Sequence, residues 1–228
     1  MEKIRKEFII GIIPGTGKQG QGIALRLGIA GYDVLLGSRD KEKAKRIARK
    51  LNLEINKKKF QGMQNEEVAK EANLLFVVFP YEFLKASIEP LIPSIQHDTI
   101  IIDVVVPLTF EKGYASCYDD VPYNSASEFL QMLVGNKATI VGGFKTVAAK
   151  KLQQINEPFD IDIFLTSDDK QAKEKVKTLL EHLPGIRVLD AGPLIFSRTT
   201  EQMTAFVINL NKLNKLHHAS FKIVSTKK

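Results

Sequence analysis

Two rhythms of apolar residues organise the first half of the chain. Short continuous apolar runs recur at 8–13, 32–37, 74–79 and 99–106, as expected of strands buried on both faces. Between them, 18–30 sets Ile23, Ala24, Leu25 and Leu27 among polar neighbours, and 40–51 is charged and contains alanines, so both read as helices. Gly31 supplies a helix stop, and Pro80 and Pro107 close the last two runs. Strands separated by helices predict βαβ units and a parallel sheet.

The alternation continues with a helix over 125–134 and a strand over 138–142. Strands at 161–166 and 187–190 flank a helix over 170–182, and these are expected to extend the same sheet. From 194 to 216 the pattern turns helical, with Met203, Phe206, Val207, Leu210 and Leu213 on one stripe. That stripe suits a helix packed on the domain and placed to wall a second ligand. The fold class expected is α/β: a Rossmann-type, doubly wound, mostly parallel sheet with a small C-terminal helical part.

Gly15-Thr16-Gly17-Lys18-Gln19-Gly20 fits the pattern G-x-G-x-x-G between a predicted strand and a predicted helix, the context such a turn needs. Gly15 permits a tight turn, Gly17 lets backbone approach a pyrophosphate, and Gly20 lets helix and strand pack closely. The helix N-terminus offers free N–H groups and partial positive charge to phosphates.

The next strand ends Leu36-Gly37-Ser38-Arg39, with no carboxylate at its tip to accept from a ribose 2′-hydroxyl. Ser38 can donate a hydrogen bond, Arg39 can pair with a 2′-phosphate, and Lys43 lies one helical turn further on. Asp40 is the alternative ribose acid if the strand runs one residue longer. Ser38 and Asp40 are equally suited to capping the helix. The pattern favours NADP(H) over NAD(H).

Composition narrows the field further. Among 228 residues, 33 Lys and Arg against 26 Asp and Glu give a net charge of +7, consistent with an anionic ligand. No dense basic run carries interleaved aromatics, so nucleic acid ranks low. Cys117 is the only cysteine, which rules out an intrachain disulfide and fits a reducing cytoplasm. No apolar stretch is long enough for a membrane span. The four histidines are scattered or C-terminal, and Asp119-Asp120 and Asp168-Asp169 read as a polar loop and a helix cap. No metal site and no acid–base constellation is expected.

The segments Gly15 to Gly20, Ala24-Leu25-Arg26-Leu27 and Gly37-Ser38-Arg39 together resemble coenzyme F420-dependent NADP reductases. Gly62-Met63, Asn65-Glu66, Pro80-Tyr81-Glu82, Val106-Pro107, Thr146 and Ala149 are similar too. The most diagnostic stretch is Leu189-Asp190-Ala191-Gly192-Pro193-Leu194 followed by Ser197-Arg198. The likeness spans nearly the whole chain.

The resemblance implies a Rossmann domain holding NADP(H), here 1–145, and a smaller C-terminal α/β and helical part, 146–228, covering coenzyme F420. Hydride passes directly between the two rings, so no catalytic side chain is implied. Carried over by motif, Thr16, Gly17, Lys18 and Gln19 hold the pyrophosphate, and Ser38, Arg39 and Lys43 the 2′-phosphate. Tyr81, Val106 and Ala149 line the nicotinamide side, Pro80 and Val147 are further cofactor-binding positions, and Ala219, in the C-terminal helix, lies near the deazaflavin. The family tends to be dimeric, so a homodimer is expected, with small-molecule cofactors as its other partners.

The chain departs from the family pattern at Pro14, Asp103-Val104, Lys145 and Ala148. Lys145 is expected either to pair with an anionic group of the second cofactor or to be a solvated lysine at a helix start. These departures keep two alternatives open: an NADPH-dependent reductase of a flavin, ferric chelate or quinone, and a non-enzymatic NADP(H)-sensing module.

Overall fold

The computed structural model describes residues 7–157 and 159–225. Along the chain, β1 (Ile10–Ile13) leads into α1 (Lys18–Ile29), β2 (Val34–Ser38) into α2 (Lys41–Glu54), and β3 (Phe60–Gln64) into α3 (Asn65–Glu71). Then come β4 (Leu74–Val77), the short α4 (Leu84–Ile88) and β5 (Thr99–Asp103). A hairpin of β6 (Leu108–Glu111) and β7 (Tyr114–Cys117) follows, then α5 (Ala126–Val134), β8 (Ala138–Gly142) and α6 (Ala149–Gln153). The chain ends with β9 (Ile161–Leu165), α7 (Lys170–Leu180), β10 (Ile186–Asp190) and α8 (Ser197–Asn214).

Six strands form one parallel sheet in the order β3-β2-β1-β4-β5-β8. The order reverses between β1 and β4, which opens a crevice at their carboxyl ends. Alternate residues of each strand feed two cores. Ile10, Ile12, Phe76 and Ile102 join one face, and Ile13, Leu75, Val77 and Ile101 the other. Helices cover both faces, so the apolar runs need no polar side.

The strands at 161–166 and 187–190 do not extend that sheet. They pair with each other as a separate parallel ribbon, β10 on β9, tied to the main sheet by an antiparallel bridge between Gly142 and Thr166. Thr166, just past the end of β9, bridges Gly142 where β8 ends, so the ribbon meets β8 end to end instead of side by side. The hydroxyls of Thr166, Ser197 and Ser127 pack against Gly142 at that junction. The same packing still joins the ribbon to the first core, through Ile161, Ile163, Leu165 and Val188.

The C-terminal helix, Ser197–Asn214, is shorter than the helical segment expected over 194–216. A 3-10 turn, Leu194–Phe196, precedes α8, and Lys215 in the left-handed conformation ends it. His217, His218 and Ala219 therefore lie beyond the helix. Among the described residues, no helix is long and apolar enough to cross a membrane.

Candidate functional site

A cleft of about 950 Å³ lies at the crevice between β1 and β4. Thr16, Gly17, Lys18, Gln19 and Gly20 form one wall, Ser38, Arg39 and Lys43 the next, and Pro80 stands opposite. Nine residues singled out from sequence thus share one cavity.

The glycine turn works by contact more than by unusual dihedral angles. At Gly15, whose N–H donates to the Gly37 carbonyl at 2.8 Å, a Cβ would sit 2.9 Å from the Leu36 Cα. At Gly20 a Cβ would lie 2.7 Å from the Pro14 carbonyl oxygen. Both therefore bring β1, β2 and α1 closer than any side chain allows, and neither has a positive φ. At Gly17 a Cβ would meet nothing within 4 Å, which leaves an open cradle. Gly17 is the N-cap of α1, no side chain caps that helix, and its first turn carries no acidic residue. An uncapped, carboxylate-free helix start over an open cradle fits a pyrophosphate.

Asp40 is spent locally. Its Oδ1 accepts from the Lys43 N–H at 3.0 Å, capping α2, while its own N–H donates to Ser38 Oγ. Asp40 does not line the cleft, whereas Ser38, Arg39 and Lys43 do. This corner presents two cations and a hydroxyl to a ligand, the composition a 2′-phosphate requires.

The remaining wall was only partly legible. Gln64, Asn65 and Glu66 at the end of β3, and Phe83, Ser87 and Pro90 around α4, also line the cleft. Asn65 is buried, and its Oδ1 has no hydrogen-bond partner among the described residues. The pairing of Ser38 with Gln64 across β2 and β3 brings this segment beside the Arg39 corner. Strand adjacency is a tertiary fact, and no local spacing announces it.

Tyr81 follows Pro80 in a 3-10 turn, and its ring tilts against Tyr118 at 5.7 Å. Burial, helped by Glu201, pushes its phenol pKa up. Burial likewise raises the neighbouring Cys117 thiol. Val106 extends from the carboxyl end of β5. Val147 accepts a hydrogen bond from Gln19 Nε2 at 3.1 Å, which seats its turn against the glycine loop. Ala149 opens α6, which packs on α1 at Gly22.

Two expectations need correction. Lys145 is neither solvated nor free for a ligand. Its ammonium donates to Asp103 Oδ2 at 2.5 Å, the Val105 carbonyl at 2.6 Å and Glu201 Oε1 at 3.2 Å, with its side chain 1% exposed. Three protons meet three acceptors, so direct pairing with a second cofactor has no donor left. Burial alone would lower its pKa, but Asp103 and Glu201 outweigh burial and hold it above the usual lysine value. Burial raises the Glu201 carboxyl, against the pull of Lys145. Ala219, the second correction, lies outside the helix and is held by its N–H on Asn211 Oδ1 at 3.1 Å.

The Asp190 to Leu194 stretch has a structural job. Asp190 Oδ1 accepts from Lys173 Nζ at 2.6 Å and from the Gly192 N–H at 2.8 Å. The Leu194 N–H then donates to Asp168 Oδ1. These bonds set the start of α8, which carries Arg198 and Glu201 within electrostatic reach of Tyr81 and Cys117. Arg198 Nη1 is buried and has no hydrogen-bond partner among the described residues. Sequence reading had placed Arg198 in a diagnostic motif without giving it a role.

A family model described as "NADP oxidoreductase coenzyme F420-dependent" matches residues 9–107. A curated relative from Methanothermobacter marburgensis named F420-dependent NADP reductase is 34% identical, covering 95% of this chain and 98% of its own length. A second of the same name, from Methanothermobacter thermautotrophicus, is 32% identical, covering 95% and 94%. A solved structure from Arthrobacter sp. FB24 shares the fold at a TM-score of 0.80 and 24% identity, over 96% of this chain and all of that one. A Mycobacterium tuberculosis 3-hydroxyisobutyrate dehydrogenase does so at 0.61 and 12% identity, over 92% and 66%. A likeness to named members that runs from end to end, on a sheet whose cleft carries the expected turn, settles the classification: the chain belongs to the F420-dependent NADP reductase family.

Proposed function

We propose that this chain is an oxidoreductase that passes a hydride between NADP(H) and the deazaflavin coenzyme F420. One observation carries the reading within the family: an uncapped helix start and the Ser38-Arg39-Lys43 corner share a single cleft. Thr16 to Gly20 hold the pyrophosphate with backbone N–H groups. Ser38, Arg39 and Lys43 hold the 2′-phosphate. Pro80, Tyr81, Val106, Val147 and Ala149 border the nicotinamide. Arg198, with an unpaired guanidinium nitrogen, faces the second substrate with Tyr81.

The two carriers supply the redox chemistry, a hydride moving from one ring to the other. The chain's own contribution is orientation and exclusion of water. Residues 1–145 serve the dinucleotide, and 146–228 cover the second substrate. The protein works in the cytoplasm as a homodimer. Exposed Phe206, Leu213 and Leu216 near the end of α8 support that assembly, and sedimentation tests it.

The functional test is acceptor choice. NADPH is mixed with the protein and F420, FMN, FAD, a quinone or a ferric chelate, and each acceptor is followed by absorbance. Rapid bleaching of oxidised F420 alone is the expected result. Turnover with another acceptor but not F420 rejects the reading, as does NADPH binding with no turnover at all.

A further inference from the structure

We propose that the buried Asp103–Lys145–Glu201 cluster is a positioning device that fixes the Val105–Val106 backbone against the nicotinamide half of the bound dinucleotide. The inference rests on the cleft being an NADP(H) site. After Asp103 the chain leaves the sheet beside the end of β4, where the Val104 N–H donates to the Val77 carbonyl and Val78 to Pro80 line the cleft. Val105 is 2% exposed, so neither of its peptide groups can turn to water. Its N–H donates to Asp103 Oδ1 at 2.9 Å, and its carbonyl accepts from Lys145 Nζ at 2.6 Å. Two side chains thus do for the two peptide groups of one residue what a neighbouring strand does elsewhere.

The same cluster also reaches α5 and α8. Asp103 Oδ2 also accepts from Ser127 Oγ at 2.7 Å, and Glu201 accepts from the Ala126 N–H at 3.1 Å, which anchors α5. The Lys145 carbonyl accepts from Thr204 Oγ1 at 2.8 Å, which anchors α8. Two residues on, Val147 is tied to Gln19 in the glycine turn.

Stability does not account for three charges in a dry place, because apolar residues of equal volume commonly do as well or better. Orientation does account for them, since one ammonium and one carboxylate close on the two peptide groups of a single residue.

The test compares two ligands by calorimetry. 2′,5′-ADP reports the adenosine half alone, and NADPH reports both halves. The triple variant Asp103→Asn, Lys145→Met, Glu201→Gln keeps side-chain volume and removes the charges. Asp103→Asn alone is the gentler variant and is read in the same way. Either variant is expected to bind 2′,5′-ADP within about twofold of wild type and NADPH about tenfold more weakly, roughly the weight of one oriented contact. Equal losses for both ligands show a merely structural cluster and overturn the proposal, as does unchanged NADPH affinity. Wild-type protein that binds neither ligand overturns the NADP(H) reading and the positioning role with it.

Discussion

Gly17 and Gly20 stand three residues apart and answer the same substitution in opposite ways. A Cβ at Gly17 meets no atom within 4 Å, and the residue's φ of −77° suits alanine. Gly17→Ala should leave thermal stability within about 0.5 kcal/mol, as substitutions without a steric conflict do. Its methyl instead stands where phosphate must approach, so calorimetry should show NADPH binding greatly weakened. Gly20→Ala drives a methyl into the Pro14 carbonyl and should cost about 1–3 kcal/mol in denaturation. Arg39 belongs to the same scale. Arg39→Ala should weaken NADPH by about 1.5–3 kcal/mol, the weight of a charged hydrogen bond, and leave NADH nearly unchanged. Equal losses for the two nucleotides would place Arg39 away from the 2′-phosphate. These residues were legible because strand end, turn and helix start follow one another in sequence. Lys145 was not, because its acidic partners lie 42 and 56 residues away.

Elements with a weak apolar signal or an unforeseen neighbour were the ones misread or missed. β3 escaped notice because Phe60-Gln61-Gly62-Met63-Gln64 carries too few apolar residues to stand out. It is an edge strand whose entry is clipped by Asn52 of α2, bonded to the Phe60 carbonyl and to the N–H groups of Lys59 and Phe60. The C-terminal tail is fastened in a similar way. Asp162 on β9 has a fully buried side chain that accepts from Arg187 Nε at 2.8 Å and from the Ile223 N–H at 2.6 Å. Hydrogen bonding from Arg187, reinforced by Ile223, holds the Asp162 carboxyl below its ordinary value. A depressed carboxyl stabilises the fold above its unfolded-state value near 3.8, and that gain disappears as pH falls through the folded-state value. Asp162→Asn should therefore cost about 2 kcal/mol at neutral pH, on the scale of a charged hydrogen bond. The gap from wild type should close as denaturation is repeated at progressively lower pH below that value. A gap that widens in acid would contradict the assignment.

Across the whole molecule, the doubly wound sheet was readable because its strands are buried on both faces and show as unbroken apolar runs. The separation of β9 and β10 was not, since the strands carry the same apolar signal whether they join the sheet or stand apart. In three dimensions β9 meets β8 at their ends, through the Gly142–Thr166 bridge. The large-scale consequence is a molecule in which the 143–148 turn is seated against the glycine turn by the Gln19–Val147 bond and against α8 by the Thr204–Lys145 bond. The proposed transfer brings two ring systems face to face and needs no proton carrier between them. Transfer from NADPH doubly deuterated at C4 tests this most directly, with the reduced F420 examined by mass spectrometry and NMR. The arrangement predicts one deuterium at C5 of the deazaflavin for each NADPH oxidised, with none lost to water. Reduced F420 without deuterium, or label released into solvent, would contradict it.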